Sequence, residues 1–133
     1  MKASSLSLKA AVVFGVAGML MGIAMAATHN HSVLPAHAHL NLLGWVSLFL
    51  IGIYYKLHPS LDVSRAALLQ SVVWILATVI LTIGVACIYL GYPAAEPVAM
   101  IGSVIVVADM LFFTFLVFRP TAEHVVARMA PAE

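Results

Sequence analysis

Residues Pro35–Leu57 read PAHAHLNLLGWVSLFLIGIYYKL. A helix needs about 20 residues to cross about 30 Å of hydrocarbon, and this stretch supplies them. Two histidines, His37 and His39, sit where the apolar span begins. An imidazole at that place is costly to bury and rarely lacks a role. Each helical residue turns about 100°, so residues two apart point about 200° from each other. One helix can therefore offer a ligand to each of two separate pockets. Asn41 lies one turn below His37 on the same face, placed to hydrogen-bond to it or to a ligand. Gly44 and Gly52 leave room for a flat group or for another helix, and Trp45 adds an aromatic wall. Tyr54 and Tyr55, near the far end, read as interfacial anchors.

The rest of the chain has the same character. Of its 133 residues, 64% are hydrophobic and 8% charged, against about 25% charged in soluble domains. The mean hydropathy is +1.11. These values predict an all-α integral membrane protein in contact with the lipid bilayer. Four spans are expected, at about 8–27, 35–57, 65–90 and 97–118, forming one domain over 1–133. The connections are short, so function must lie in the helices or in those loops. The single cysteine, Cys87, is inside a span, which leaves no disulfide framework and no Cys-x-x-Cys-His motif for covalent haem. A net charge of +1 gives no sign of nucleic-acid binding.

Lys2, Lys9, Lys56, Arg65, Arg119 and Arg128 all fall on one side of a four-span chain. By the positive-inside rule that side is cytoplasmic, with both termini there and the histidine pair near the outer face. Lys2, Lys9 and the following apolar stretch up to Ala24-Met25-Ala26 also resemble a secretory signal peptide. The segment is nevertheless long enough to span, and Gly15, Gly18 and Gly22 give it a small-residue stripe suited to close packing, so it is read as a retained helix.

Neutral imidazole binds haem iron, copper or zinc. Two histidines on opposite faces, beside Asn41 and glycine, favour ligation over a capping or headgroup role. His29 and His31 bring the total to four histidines in eleven residues. They are candidates for an outer copper or zinc site, although a solvated polar loop is the plainer reading. His58 and His124 read as solvated. Asp109 interrupts the fourth span somewhat inward of its middle. A carboxyl there must be protonated, paired or beside water. Proton relay and a hydrogen bond to Ser71, Thr78 or Thr82 are equally open readings. Glu96 reads as a loop or helix-start charge and the methionines as core filler.

The pattern His37-Ala38-His39, then Gly52, then Pro59, resembles the tenth helix of the large catalytic subunit of haem–copper oxidases. The run from His39 to Trp45 is similar to segments of the cbb3 and nitric-oxide-reductase branch. The resemblance implies that His37 and His39 are axial ligands of haem b. It also implies an architecture. The oxidase subunit has three four-helix arcs in a twelve-helix ring, and a free-standing four-helix chain resembles one arc. Three copies would rebuild the ring as a homotrimer in which each haem takes one histidine from each of two subunits; a dimer with shared haems is the nearest rival.

The chain departs from that family in having no His-x-x-x-Tyr on another helix, no His-His pair for the oxidase copper, and no histidine in the third and fourth spans. Bis-histidine iron has no open position for oxygen. The expectation is therefore electron transfer by a membrane b-type cytochrome, with an unknown redox partner, rather than oxygen reduction. A haem- or copper-handling protein or gas sensor is the alternative, and a cofactor-free assembly partner is the third reading.

Overall fold

A computed structural model describes residues 1–119. Arg128 and His124, which entered the sequence reading, lie outside the described residues. Four helices are long and apolar enough to cross a membrane: α1 (Ala3–Thr28), α2 (Leu34–Leu57), α3 (Arg65–Tyr89) and α4 (Glu96–Phe118). Among the described residues there is no strand. Successive helices pack side by side, α1 on α2 and α3 on α4 most extensively, with a smaller contact between α1 and α3 and no comparable contact between α1 and α4.

The helix ends follow from local chemistry. α1 begins five residues before the expected start because its polar first turn finds partners inside the protein. The Asp62 carboxylate accepts from the Ser4 N–H (2.7 Å) and the Ser4 hydroxyl (2.9 Å). Asp62 belongs to a single helical turn, Pro59–Asp62, between α2 and α3. A carboxylate there meets the positive end of the α1 dipole. The contact also places the start of α1 and the α2–α3 connection at one end of the bundle. Ser64 caps α3 by accepting from the Ala67 N–H at 3.1 Å. α3 ends in a Schellman motif, with Tyr92 N–H donating to Cys87 O and Gly91 N–H to Ile88 O. Gly91 takes the required positive φ of 92°.

α2 is not a uniform helix. It is α-helical over Leu34–His39, π-helical over Leu40–Ser47, and α-helical again over Leu48–Leu57. Eight π residues are unusual, since π-helix mostly occurs as single-turn bulges, often at functional sites. Neighbouring groups use the altered backbone. Ser47 Oγ donates to Leu42 O five residues back at 2.7 Å. The buried Trp74 of α3 donates its indole N–H to Leu43 O at 3.0 Å.

The core contains more polar groups than the sequence suggested. Tyr55 is fully buried and is therefore no interfacial anchor. Its neighbour Tyr54 is half-buried and stacks on His58 at 4.1 Å between ring centroids. His58 is not a freely solvated ring either: it is half-buried and its Nδ1–H donates to Tyr54 O at 2.7 Å. Ser7 of α1 donates to Ser71 of α3 at 2.9 Å.

Candidate functional site

His37 and His39 occupy the first α-helical segment of α2, and the π segment starts at the next residue. Both rings are partly buried, and they leave the helix on different flanks.

His37 turns toward α1. The backbone at Gly22 comes so close that a β-carbon there would lie 3.2 Å from His37 Cε1. The same packing recurs down the two helices. A β-carbon at Gly18 would meet the Asn41 amide at 2.5–2.8 Å, and one at Gly15 would meet the Trp45 ring at 3.1–3.3 Å. The stripe Gly15, Gly18, Gly22 thus receives Trp45, Asn41 and His37. Asn41 donates to His37 O at 2.8 Å, and its amide nitrogen lies 3.3 and 3.5 Å from the two ring nitrogens. Gly44 and Gly52 also face α1, where β-carbons would meet Phe14 and Leu8 at 2.9 Å. The room these glycines leave is filled by α1.

His39 turns the other way. It lines a groove of about 380 Å³ between Ala38, Leu42 and Leu43 of α2, Leu81 of α3, and Ser103, Val106 and Val107 of α4. Its Nδ1 lies 2.7 Å from Pro35 O. A carbonyl only accepts, so Nδ1 carries the proton and the Nε2 lone pair stays free. A backbone carbonyl on one ring nitrogen is the usual device that orients a ligating histidine and raises its basicity.

The outer loop has its own structural account. His29 caps α1 in the left-handed region (φ 52°), with its N–H on Ala26 O at 3.4 Å. Asn30 Oδ1 accepts from the N–H and hydroxyl of Ser32. His31 is exposed. Among the described residues no three His, Cys, Asp or Glu side chains gather as a metal-binding group. Within one chain, His29, His31, His37 and His39 thus do not form a preassembled copper or zinc site.

Asp109 is buried, and its partner is neither Ser71, Thr78 nor Thr82. Gln70 of α3 donates to Asp109 Oδ2 at 2.8 Å, and Tyr55 of α2 donates to Gln70 Oε1 at 2.8 Å. Sequence reading passed over Gln70, although a lone amide among apolar residues of a span was the available signal. Thr78 and Thr82 are buried with hydroxyls that have no partner.

Whether these residues suit a haem turns on the donor set. His39 offers one oriented imidazole in an apolar groove. Among the described residues His39 is the one histidine that lines the groove, and His37 lies on the opposite flank. The residues therefore fit one axial position, and a second histidine would have to come from another copy. Comparison with protein-family models, with curated proteins and with solved structures gave no match.

Proposed function

We propose that this chain is a b-type cytochrome of the inner (cytoplasmic) membrane, acting in electron transfer as a homo-oligomer, with three copies favoured. The observation that carries this reading is the His39 side chain, which lines an apolar groove and whose Nδ1–H is held by Pro35 O, leaving Nε2 as the free ring nitrogen. In the proposed assembly His39 and the His37 of a neighbouring copy would together hold the haem. By the positive-inside rule, Lys2, Lys9, Lys56, Arg65 and Arg119 support an orientation with the basic ends of the spans toward the cytoplasm and the histidine pair toward the outer face.

A bound haem supplies reversible one-electron exchange at its iron. The chain's own groups do the rest. Pro35 O fixes the tautomer of His39, and Leu43, Leu81 and Val106 give the groove an apolar lining. Asn41 and Gly22 hold the His37 ring in place. Two histidines per iron leave no position for oxygen, which suits electron transfer without ligand exchange.

One observation favours a second reading, a haem-binding gas sensor. His37 is packed against its own α1, so a haem at His39 that recruits no neighbour keeps an open position. The experiment is an optical spectrum of detergent-purified protein expressed with ample haem, reduced minus oxidised, with and without carbon monoxide. Low-spin bands indifferent to carbon monoxide and weakened in both His37→Ala and His39→Ala are expected. Carbon monoxide binding with sensitivity only to His39→Ala selects the sensor. A colourless wild type overturns both haem readings and leaves the cofactor-free assembly partner or a copper protein.

A further inference from the structure

Asp109, on the face of α4 that packs against α3, takes no part in the site above. Its surroundings fix its hydrogen-bond role. The Tyr55 O–H donates to Gln70 Oε1, which commits the amide oxygen and leaves Nε2 to face Asp109 Oδ2. An amide nitrogen only donates, so Oδ2 accepts. Tyr55 and Gln70 are fully buried and Asp109 is 5% exposed.

Among the described residues no positive group is paired with Asp109, whose one side-chain partner is Gln70. From α3 the facing group is Gln70; from α2 it is Tyr55, with Tyr54 beside it, and α1 does not pack comparably on α4. On α4 itself, Phe113 lies one turn inward, edge-on to Tyr54 and Tyr55. Arg119 stands ten residues farther along α4, about 15 Å at the helical rise. An ionised carboxylate has about four acceptor sites, and Gln70 fills one. A buried charge with so little compensation is among the most costly arrangements in a protein, and a membrane makes it costlier. The neutral carboxyl keeps the Gln70 contact on Oδ2 and carries its proton on Oδ1, and an O–H group is far less costly to bury than a charge.

We propose that Asp109 is a proton-binding site within the membrane, loaded in the resting protein and held by the Tyr55–Gln70–Asp109 chain across three helices. It empties only when water or a cation reaches Oδ1. This assignment does not depend on a haem. Among the described residues the other carboxylic side chains are Asp62, which pairs with Ser4 in the α2–α3 connection, and Glu96, the first residue of α4. A carboxyl that stays neutral at neutral pH is thus distinctive.

The test is infrared spectroscopy of the full chain in lipid at neutral pH, in H2O and in D2O. A protonated-carboxyl C=O band that is present in wild type, moves on exchange into D2O and is lost in Asp109→Asn is the expected result. Gln70→Met guards against a misfolded Asp109→Asn protein: it keeps the carboxyl, removes its donor, and is expected to shift the same band. Absence of the band from wild type overturns the proposal. So does a band indifferent to both substitutions.

Discussion

Gly18→Ala is the sharpest test of how α1 holds the histidine-bearing face of α2. The new methyl would lie 2.5 Å from Asn41 Oδ1 and 2.6 Å from Nδ2, closer than carbon and these atoms can approach. The amide must rotate away, and with it goes the 2.8 Å bond to His37 O. Overpacking of this kind costs about 1–3 kcal/mol, and the lost hydrogen bond about 0.5–1.5 kcal/mol. Alanine returns about 1 kcal/mol of helix propensity over glycine. The net expectation is a loss of about 2 kcal/mol. Gly22→Ala is the control. Its methyl would meet a single ring edge at 3.2 Å, so a shift of a few tenths of an ångström suffices and the propensity gain roughly offsets the strain. The assay is reversible denaturation of the purified protein in detergent for wild type, both single variants, and Gly18→Ala combined with Asn41→Ala. Removing the Asn41 amide should recover at least half of the loss, since the two sites act through one contact. A Gly18→Ala protein as stable as wild type, or a double variant with purely additive losses, would refute the reasoning.

Two further substitutions probe the buried polar groups. Thr78→Val removes a fully buried hydroxyl that has no partner, and relief of an unsatisfied group of this kind should raise stability by about 1 kcal/mol in the same assay. A loss instead would show that the hydroxyl is bonded to water or to a ligand. Asp62→Ala removes both acceptors of Ser4 at the start of α1, and a loss of about 2 kcal/mol is expected because the bonds are charge-assisted and meet the helix dipole. Asp62→Asn should recover part of it, and equal stability of all three proteins would show that the cap contributes nothing.

The four spans were legible because length and apolarity decide them, and little tertiary information is needed. The opposite flanks of His37 and His39 were legible for a similar reason: two residues on a helix subtend a fixed angle. Three features were hidden. α1 reaches back to Ala3 because Asp62, 58 residues away, accepts from Ser4. Tyr55 reads as an anchor from its place near a helix end, yet Gln70 turns it into a core residue. The sequence points to the hydroxyls of Ser71, Thr78 and Thr82 as partners of Asp109, whereas the reach of an amide side chain from one helix to the next decides the contact. Each depends on which helices are neighbours and in what register, and apolar spans carry almost no pattern from which to read either.

The π segment ties these observations together. Five turns of α-helix take about 18 residues, the separation of His37 from Tyr55, so a uniform α2 would point both side chains the same way. In the structure His37 meets Gly22 of α1, while Tyr55 donates to Gln70 of α3. The wider turns of Leu40–Ser47, which lie between them, rotate the inner half of the helix relative to the outer half. That rotation lets one helix serve two purposes: its outer end presents an imidazole on each flank, and its inner end delivers a phenol to the buried carboxyl chain. The Trp74 indole on Leu43 O and the Ser47 hydroxyl on Leu42 O hold the widened backbone. The segment therefore couples the orientation of the histidine pair to the packing of α3, and a change at Trp74 should be felt at His39 through the intervening turn.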